Sequence, residues 1–140
     1  MSAQLTFTSV YSYDTRKSGI SVPVSLRYGP DSIQVIAKLD TGASFCIFEG
    51  IHGKRLGLNL ESGIPQRVHT VTGSFLTYGH EITIETFGIE TVATVYFAAD
   101  DSFTRNVLGR QGWLDRVRLG LVDYEGKLYL NPYDQAESSR

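Results

Sequence analysis

The chain has 140 residues, of which 41% are apolar and 20% are charged, and its formal net charge is −2. This length and composition fit one globular domain, and the small negative charge argues against nucleic acid as a main partner. No apolar run is long enough to span a membrane, and the N-terminus lacks the basic start and apolar stretch of a secretory signal. The single cysteine, Cys46, rules out an internal disulfide and is expected to be a core residue. We therefore expect a soluble, cytoplasmic protein that binds neither nucleic acid nor membrane.

Alternation of apolar and polar residues predicts β-strands in the N-terminal part of the chain. A first strand is expected over residues 5–13 and a second over residues 21–28. Pro23 has no N–H to donate to a neighbouring strand, so either the second strand lies at a sheet edge or the donor position of Pro23 faces outward. A hairpin connection at residues 29–32 leads to a third strand, which ends at Asp40.

The middle of the chain combines short elements with a hairpin. A short buried strand is expected over residues 44–48, and residues 49–60 have room for one or two helical turns, although their glycines weaken helix formation. Residues 68–79 have the composition of a hairpin with its tip near Thr72-Gly73-Ser74. Two further strands follow, with a bend near Gly88.

The C-terminal part is predicted to hold an apolar pair, a glycine and a short helix within residues 106–122. Trp113, Leu114 and Val117 lie at helical spacing and are expected to face the core. The chain then closes with a hairpin that turns at residues 124–126. The sequence thus predicts one mostly-β domain.

Asp40 stands in an apolar setting that is unusual for a carboxylate. Leu39 precedes it, and Ala43, Phe45 and Ile47 follow. This pattern predicts that Asp40 is buried, and burying an ionised carboxylate costs several kcal/mol unless the group is paired, hydrogen-bonded or protonated. Asp40 is therefore expected to have a partner.

The sequence DTGAS at residues 40–44, which follows an apolar strand, resembles the active-site turn of the aspartic peptidases. Downstream, VLGR at residues 107–110 is similar to the apolar-apolar-Gly element beside that turn, and residues 67–80 lie where the family has its flap. Pepsin-like enzymes carry two such turns in one long chain, whereas this chain has one. The resemblance is therefore to the single-domain retropepsin branch, which includes the retroviral proteases.

This resemblance implies a mostly-β fold, namely a retropepsin-like closed β-barrel or sandwich with one short C-terminal helix that supplies half of a pepsin-type active site. It covers about residues 20–130. We accordingly divide the chain into an N-terminal segment over residues 1–17, a retropepsin-like peptidase domain over residues 18–132 and a frayed tail over residues 133–140. The N-terminal segment is expected to pack at a subunit interface or to act as a removable, pro-like strand.

The resemblance also implies a homodimeric aspartic endopeptidase that acts on extended peptide or protein substrates and uses no metal or other cofactor. Its catalytic residues are Asp40, Thr41 and Gly42, and the two Asp40 carboxylates, one from each chain, share a proton and activate water. The residues expected to contact substrate, on the turn and the flap, are Ala43, Val71, Thr72, Gly73 and Ser74. The residues expected to support the site are Val107, Leu108, Gly109 and Arg110.

One position departs from the retroviral pattern, which often has a second aspartate where this chain has Ser44. Arg110 then lacks its usual partner and is expected to bond either main-chain carbonyls or another acid, for which Asp115 is a candidate. His52, His69 and His80 share no zinc-like spacing, so no metal site is expected.

Two alternatives to an active enzyme remain open. The chain could be a retropepsin-fold module that binds extended peptides or partners as a scaffold, with little or no proteolytic activity. It could also be a zymogen that stays inactive until residues 1–17 are cut. The intact DTGAS sequence favours catalysis, because a pure binding module has no use for a costly buried pair of carboxylates.

Overall fold

The computed structural model describes residues 1–133, and these residues are mostly β. The strands are, in chain order, β1 (Ser9–Ser12), β2 (Ile20–Tyr28), β3 (Asp31–Leu39), β4 (Ile47–Phe48), β5 (Ile64–Thr70), β6 (Gly73–Thr86), β7 (Ile89–Ala98), β8 (Val107–Leu108), β9 (Val117–Val122) and β10 (Lys127–Pro132). Within the described part, the one α-helix is α1 (Gly50–Arg55), and short 3-10 turns lie at Leu60–Ser62, Leu114–Arg116 and Asp123–Glu125. The predicted tail over residues 133–140 lies outside the described residues except for Tyr133.

The strands form two sheets. The larger sheet has the order β2-β3-β8-β4-β7-β6-β5, and β2 also pairs with β6, so this sheet nearly closes on itself. The smaller sheet has the order β1-β10-β9. Neighbouring strands are antiparallel except for the pairs β3–β8 and β4–β7, which are parallel. The parallel pair β3–β8 brings the chain after β3 beside β8, and this is where the candidate site lies.

The alternating pattern of β2 explains how this strand sits in the sheet. Val22, Val24 and Leu26 are buried, whereas Pro23 between them is exposed. Pro23 is paired with β3, and β6 reaches β2 only at residues 25–27. Pro23 therefore lies in a part of β2 that has one neighbouring strand, although β2 pairs on both sides at residues 25–27.

The core joins the two sheets. Its largest fully buried side chains include those of Leu26, Phe48, Leu56, Ile84, Phe97, Leu108, Trp113, Leu128 and Leu130. Trp113 is only 1% exposed, and its indole N–H donates to the Thr86 hydroxyl at 2.9 Å. A tryptophan can be buried at low cost when its single donor is satisfied in this way. Trp113 is a core residue, as predicted.

The predicted C-terminal helix is wrong in its extent and type. Only a 3-10 turn forms at Leu114–Arg116, and β9 begins at Val117. The backbone N–H of Arg116 donates to the Trp113 carbonyl at 2.9 Å, which closes a tight turn directly before β9 starts to pair with β10. Apolar residues every second position from Val117 onward favour a strand, and this periodicity outweighs the helical spacing around Trp113.

Other boundaries differ less from the predictions. The first strand is limited to Ser9–Ser12, and the buried strand expected over residues 44–48 is limited to Ile47–Phe48. The hairpin tip lies at residues 71–72, because Thr70 already pairs with Gly73. The bend near Gly88 and the closing hairpin around residues 124–126 are confirmed.

The N-terminal segment is built into the smaller sheet of the same chain. β1 pairs with β10, the Thr8 N–H donates to the Asn131 side chain at 2.8 Å, and the ring of Tyr11 stacks on that of Phe87 at a centroid distance of 3.7 Å. Its predicted role at an interface or as a pro-like strand stays a prediction. No helix within residues 1–133 has the length and apolar character needed to cross a bilayer.

Candidate active site

Asp40 follows β3 directly and starts a tight turn. Its backbone N–H donates to the Leu108 carbonyl at 3.0 Å, and its own carbonyl accepts from the Ala43 N–H at 3.2 Å. The Gly42 N–H donates to Asp40 Oδ1 at 2.9 Å. The turn therefore fixes both the backbone of Asp40 and the orientation of its carboxylate, since a charged acceptor forms a strong bond with a backbone amide.

The segment that begins at β8 holds this turn from the other side. Leu39 and Leu108 are partners in the parallel pair β3–β8. The Arg110 N–H donates to the Ala43 carbonyl at 2.9 Å, and the next amide, of Gln111, donates to the Ser44 carbonyl at 2.9 Å. The two stretches that the sequence separates by more than sixty residues thus form one hydrogen-bonded unit.

Gly109 lies where only glycine fits. A Cβ added there would be 2.2 Å from the Phe45 carbonyl oxygen and 2.8 Å from the Ala43 carbonyl oxygen. Both atoms belong to the backbone that follows the Asp40 turn, so a side chain would force the two segments apart. The apolar-apolar-Gly pattern therefore has a steric cause, namely the close approach of two backbones.

The three residues predicted to be catalytic, Asp40, Thr41 and Gly42, are exposed in the single chain. The prediction that Asp40 is buried is wrong for the single chain. The apolar residues on either side do not cover it: Leu39, Ala43 and Phe45 are only half-buried, and full burial begins at Cys46. The turn projects from the sheet, and the apolar pattern around it describes the strands on both sides rather than the turn.

A groove of about 450 Å³ opens beside the turn. It lies between the turn, the β5 side of the β5–β6 hairpin and the chain before β8. Its lining residues are Asp40, Gly42, Ala43, Ser44, Phe45, Ile47, Gln66, Arg67, Val68, His69, Thr70, Phe75, Phe103, Arg105 and Val107. A second cavity, of about 530 Å³, opens on the other side of Asp40 and is lined by Ser18, Gly19, Ser21, Ile36, Lys38, Leu39, Asp40, Thr104, Arg105, Asn106 and Val107. Asp40 and Arg105 line both.

The predicted substrate-binding residues divide into two groups. Ala43 lines the groove, whereas Val71, Thr72, Gly73 and Ser74 lie at the exposed tip of the hairpin and do not line it. Contact of this tip with substrate stays a prediction. The stem of the hairpin lines the groove instead, through Gln66, Arg67, Val68, His69, Thr70 and Phe75.

Phe103 and Arg105 were also missed, because no motif marks the residues that lead into β8. The ring of Phe103 stacks on that of Phe75 at a centroid distance of 4.8 Å, which links this segment to the hairpin. Asn106 fixes the same segment: its side chain accepts from the Glu49 N–H at 3.1 Å and donates to the Glu49 carboxylate at 3.0 Å. The wall that carries Arg105 is therefore held at both ends.

No protein-family model and no curated protein matches the sequence. Among solved structures, the EIAV protease in complex with the inhibitor HBY-793 is similar to this chain, with a TM-score of 0.53 and 22% sequence identity. The match covers 67% of this chain and 84% of that chain. The chain has a retropepsin-like fold. The predicted fold class is confirmed by this match and by the nearly closed sheet.

Many retroviral proteases have an aspartate that pairs with the arginine after the apolar-apolar-Gly element. This chain has Ser44 at the position of that aspartate, so Arg110 has no carboxylate there. Asp115 forms an ion pair with Arg116 at 3.4 Å and accepts the Gly112 N–H at 3.0 Å. The expected pair between the Arg110 and Asp115 side chains is therefore not formed among residues 1–133. Arg110 acts on the turn through its backbone N–H instead.

Cys46 lies directly after the turn and is fully buried. Burial raises the pKa of its thiol to about 11. A thiol with such a pKa is protonated near neutral pH and is a poor nucleophile. Cys46 is a core residue, as predicted.

The histidines are dispersed in the structure. His52 lies 3.4 Å from the Glu49 carboxylate, His80 hydrogen-bonds to the Leu60 carbonyl at 2.9 Å, and His69 lines the groove. Within residues 1–133, no three His, Cys, Asp or Glu side chains are grouped so that they could hold a metal ion.

Proposed function

We propose that the chain is one half of a homodimeric aspartic endopeptidase that hydrolyses peptide bonds in extended substrates. The observation that carries this proposal is the position of Asp40. Its carboxylate is held by the Gly42 N–H, is exposed, and lies between two cavities large enough for side chains. A fixed carboxylate at the centre of a groove is the group that an acid–base hydrolysis needs.

The exposure of Asp40 supports a site that is completed by a second copy of the chain. Two Asp40 carboxylates about 3 Å apart repel each other by roughly 5 kcal/mol at an effective dielectric constant near 20. They cannot both ionise readily, so the pair holds one proton and about one negative charge. One carboxyl group is then an acid and the other a base, which a single exposed carboxylate cannot provide.

This pair activates water without a covalent intermediate. The ionised carboxylate takes a proton from a water molecule as its oxygen attacks the carbonyl carbon of the scissile bond. The protonated carboxyl group donates its proton to the carbonyl oxygen, which gives a tetrahedral diol. The carbon–nitrogen bond breaks as the amine nitrogen receives a proton from the pair.

The neighbours of Asp40 have supporting roles in this proposal. The Gly42 N–H keeps the carboxylate oriented, and Thr41 directs its hydroxyl to the turn of the partner chain. The β5–β6 hairpin closes over an extended substrate and excludes water, with residues 71–74 at its tip.

Cleavage of a peptide library between about pH 3 and about pH 8 tests the proposal. Asp40→Asn keeps the size of the side chain but removes the acid–base group, and it should lower kcat/KM by about 10³-fold or more. Specific activity should also fall on dilution as dimers separate. A wild-type chain that binds extended peptides yet cleaves none at any pH would support the alternative, a peptide-binding or scaffold module.

A further inference from the structure

The two cavities beside Asp40 have basic walls. Lys38 and Arg105 line the larger cavity, and Arg67, Arg105 and His69 line the groove under the hairpin. Among residues 1–133, Asp40 is the one acidic residue that lines either of them. This basic lining contrasts with the whole chain, whose formal net charge is −2.

The positive charges of this lining are not neutralised by neighbouring acids. Among residues 1–133, the ion pairs of arginine and histidine involve Arg16, Arg27, His52 and Arg116, and none involves Lys38, Arg67 or Arg105. Arg67 donates to the Ser74 hydroxyl at 3.4 Å, a contact with a neutral group. All three cations are exposed and thus free to meet a ligand.

The proposed pair of Asp40 carboxyl groups carries too little negative charge to neutralise the cations that line the two cavities. In a two-chain site, each half contributes Lys38, Arg67 and Arg105, which makes six cations, whereas a pair of carboxyl groups that shares a proton carries about one negative charge. The excess positive charge lies where the side chains of a bound peptide would enter. Exposed cations are ordinarily solvated and of little consequence, but here they surround a groove with the apolar surfaces of Phe45, Phe75 and Phe103.

We infer that this site selects peptides with a glutamate or aspartate beside the scissile bond and with apolar or aromatic neighbours. The inference rests on the proposed function for the statement that the ligand is a peptide. Arg105 is the main specificity residue because it lines both cavities, and its planar guanidinium can hold a carboxylate through two parallel hydrogen bonds. Lys38 adds a second positive charge within the larger cavity.

Binding can be measured without cleavage by using the Asp40→Asn chain and fluorescence anisotropy. The probes are fluorescein-labelled peptides of one sequence with a central Leu-Phe pair, flanked on both sides by Glu, by Gln or by Lys. At about pH 6 the Glu side chains are ionised. The Glu peptide should bind about tenfold more tightly than the Gln peptide, because hydrogen bonds to charged groups are stronger than those between neutral groups. The Lys peptide should bind most weakly, and the advantage of Glu should shrink as salt rises from about 0.05 M to about 0.3 M.

Variants then identify the residues responsible. In the same background, Arg105→Gln and the double change Lys38→Gln with Arg105→Gln should remove most of the preference for Glu over Gln. Arg55→Gln is the matched control, because Arg55 is an exposed arginine on α1 that lines neither cavity. Circular dichroism confirms that each variant is folded.

Equal binding of the Glu, Gln and Lys peptides would overturn the inference, as would a preference that survives the double change or binding of none of the peptides. Cleavage by the chain with Asp40 intact is a separate measurement. Selective binding of the Glu peptide without cleavage would sustain the inference and refute the proposed enzyme. Cleavage of all three peptides at equal kcat/KM would support the proposed enzyme and refute the inferred preference for acidic peptides.

Discussion

Replacing Gly109 with alanine tests whether the Asp40 turn depends on the close approach of the chain after β8. The new Cβ would lie 2.2 Å from the Phe45 carbonyl oxygen, 2.7 Å from the Phe45 carbonyl carbon and 2.8 Å from the Ala43 carbonyl oxygen. These are backbone atoms, so the clash cannot be relieved by rotating a side chain. Overpacking of this kind costs about 1–3 kcal/mol.

Moving the chain after β8 away from the turn would also break or lengthen two backbone hydrogen bonds, from the Arg110 N–H to the Ala43 carbonyl and from the Gln111 N–H to the Ser44 carbonyl. Each contributes about 1 kcal/mol. The free energy of unfolding should therefore fall by roughly 3–5 kcal/mol in Gly109→Ala, and Tm by roughly 10–15 °C. Peptide cleavage at a temperature where the variant is folded should also fall, since the Asp40 carboxylate moves with its turn.

Thermal and urea unfolding measure the loss of stability, with Gly29→Ala as the control. Gly29 has a φ of 58°, but a Cβ added there would have no heavy atom within 4 Å, so its replacement carries a conformational cost without a clash. That cost is about 1 kcal/mol. If Gly109→Ala were no less stable than Gly29→Ala, or kept full cleavage activity, the close approach at Gly109 would not be what holds the site.

Other contacts lead to predictions that solution measurements can check. Because burial raises the pKa of the Cys46 thiol from 9.0 to about 11, the unfolded chain ionises first as pH rises. The wild type should then lose up to about 3 kcal/mol of stability across this pH range, and urea titrations of Cys46→Ala should lack that loss. Asn106→Ala removes two hydrogen bonds to Glu49 and should lower the free energy of unfolding by about 1–2 kcal/mol. Asn59→Ala is the control, because the Asn59 side chain makes no capping hydrogen bond, and it should have little effect on stability. Equal Tm values for Asn106→Ala and Asn59→Ala would contradict the role given to Asn106. Deleting residues 1–17 should lower Tm and promote association, because β10 keeps β9 but loses β1 and becomes an exposed edge strand. A stable, more active truncated chain would instead support the pro-like role.

The sequence predicted the parts of the fold that are encoded locally. Alternation identified the buried face of β2, and glycine with polar residues marked the hairpins at Gly88 and at residues 124–126. It also predicted that residues 107–110 lie beside residues 40–44, because the resemblance supplied a long-range pairing that periodicity cannot provide.

The errors concern features that depend on distant neighbours. The spacing of Trp113, Leu114 and Val117 suits a helix, but β10 is available as a partner and a strand forms from Val117 onward. Nothing near β1 in the sequence indicates that it pairs with β10, which lies more than one hundred residues away. The groove walls at Phe103 and Arg105 were missed for the same reason, since their place beside the hairpin follows from the tertiary fold.

The burial predicted for Asp40 is a different kind of error, because the apolar residues next to it do not cover the turn. An isolated chain exposes its carboxylate, and it also exposes Val71 completely at the tip of the hairpin whose stem lines the groove. An apolar side chain is unfavourable to leave in water, and a single carboxylate cannot act as both the acid and the base of the proposed reaction. No rearrangement within the chain supplies a second fixed carboxylate, because the turn is held by β8 and by the Gly42 N–H. Under the proposed function, a second copy of the chain supplies that carboxylate and an opposing hairpin at once, whereas the apolar residues around Asp40 belong to the strands on both sides of the turn.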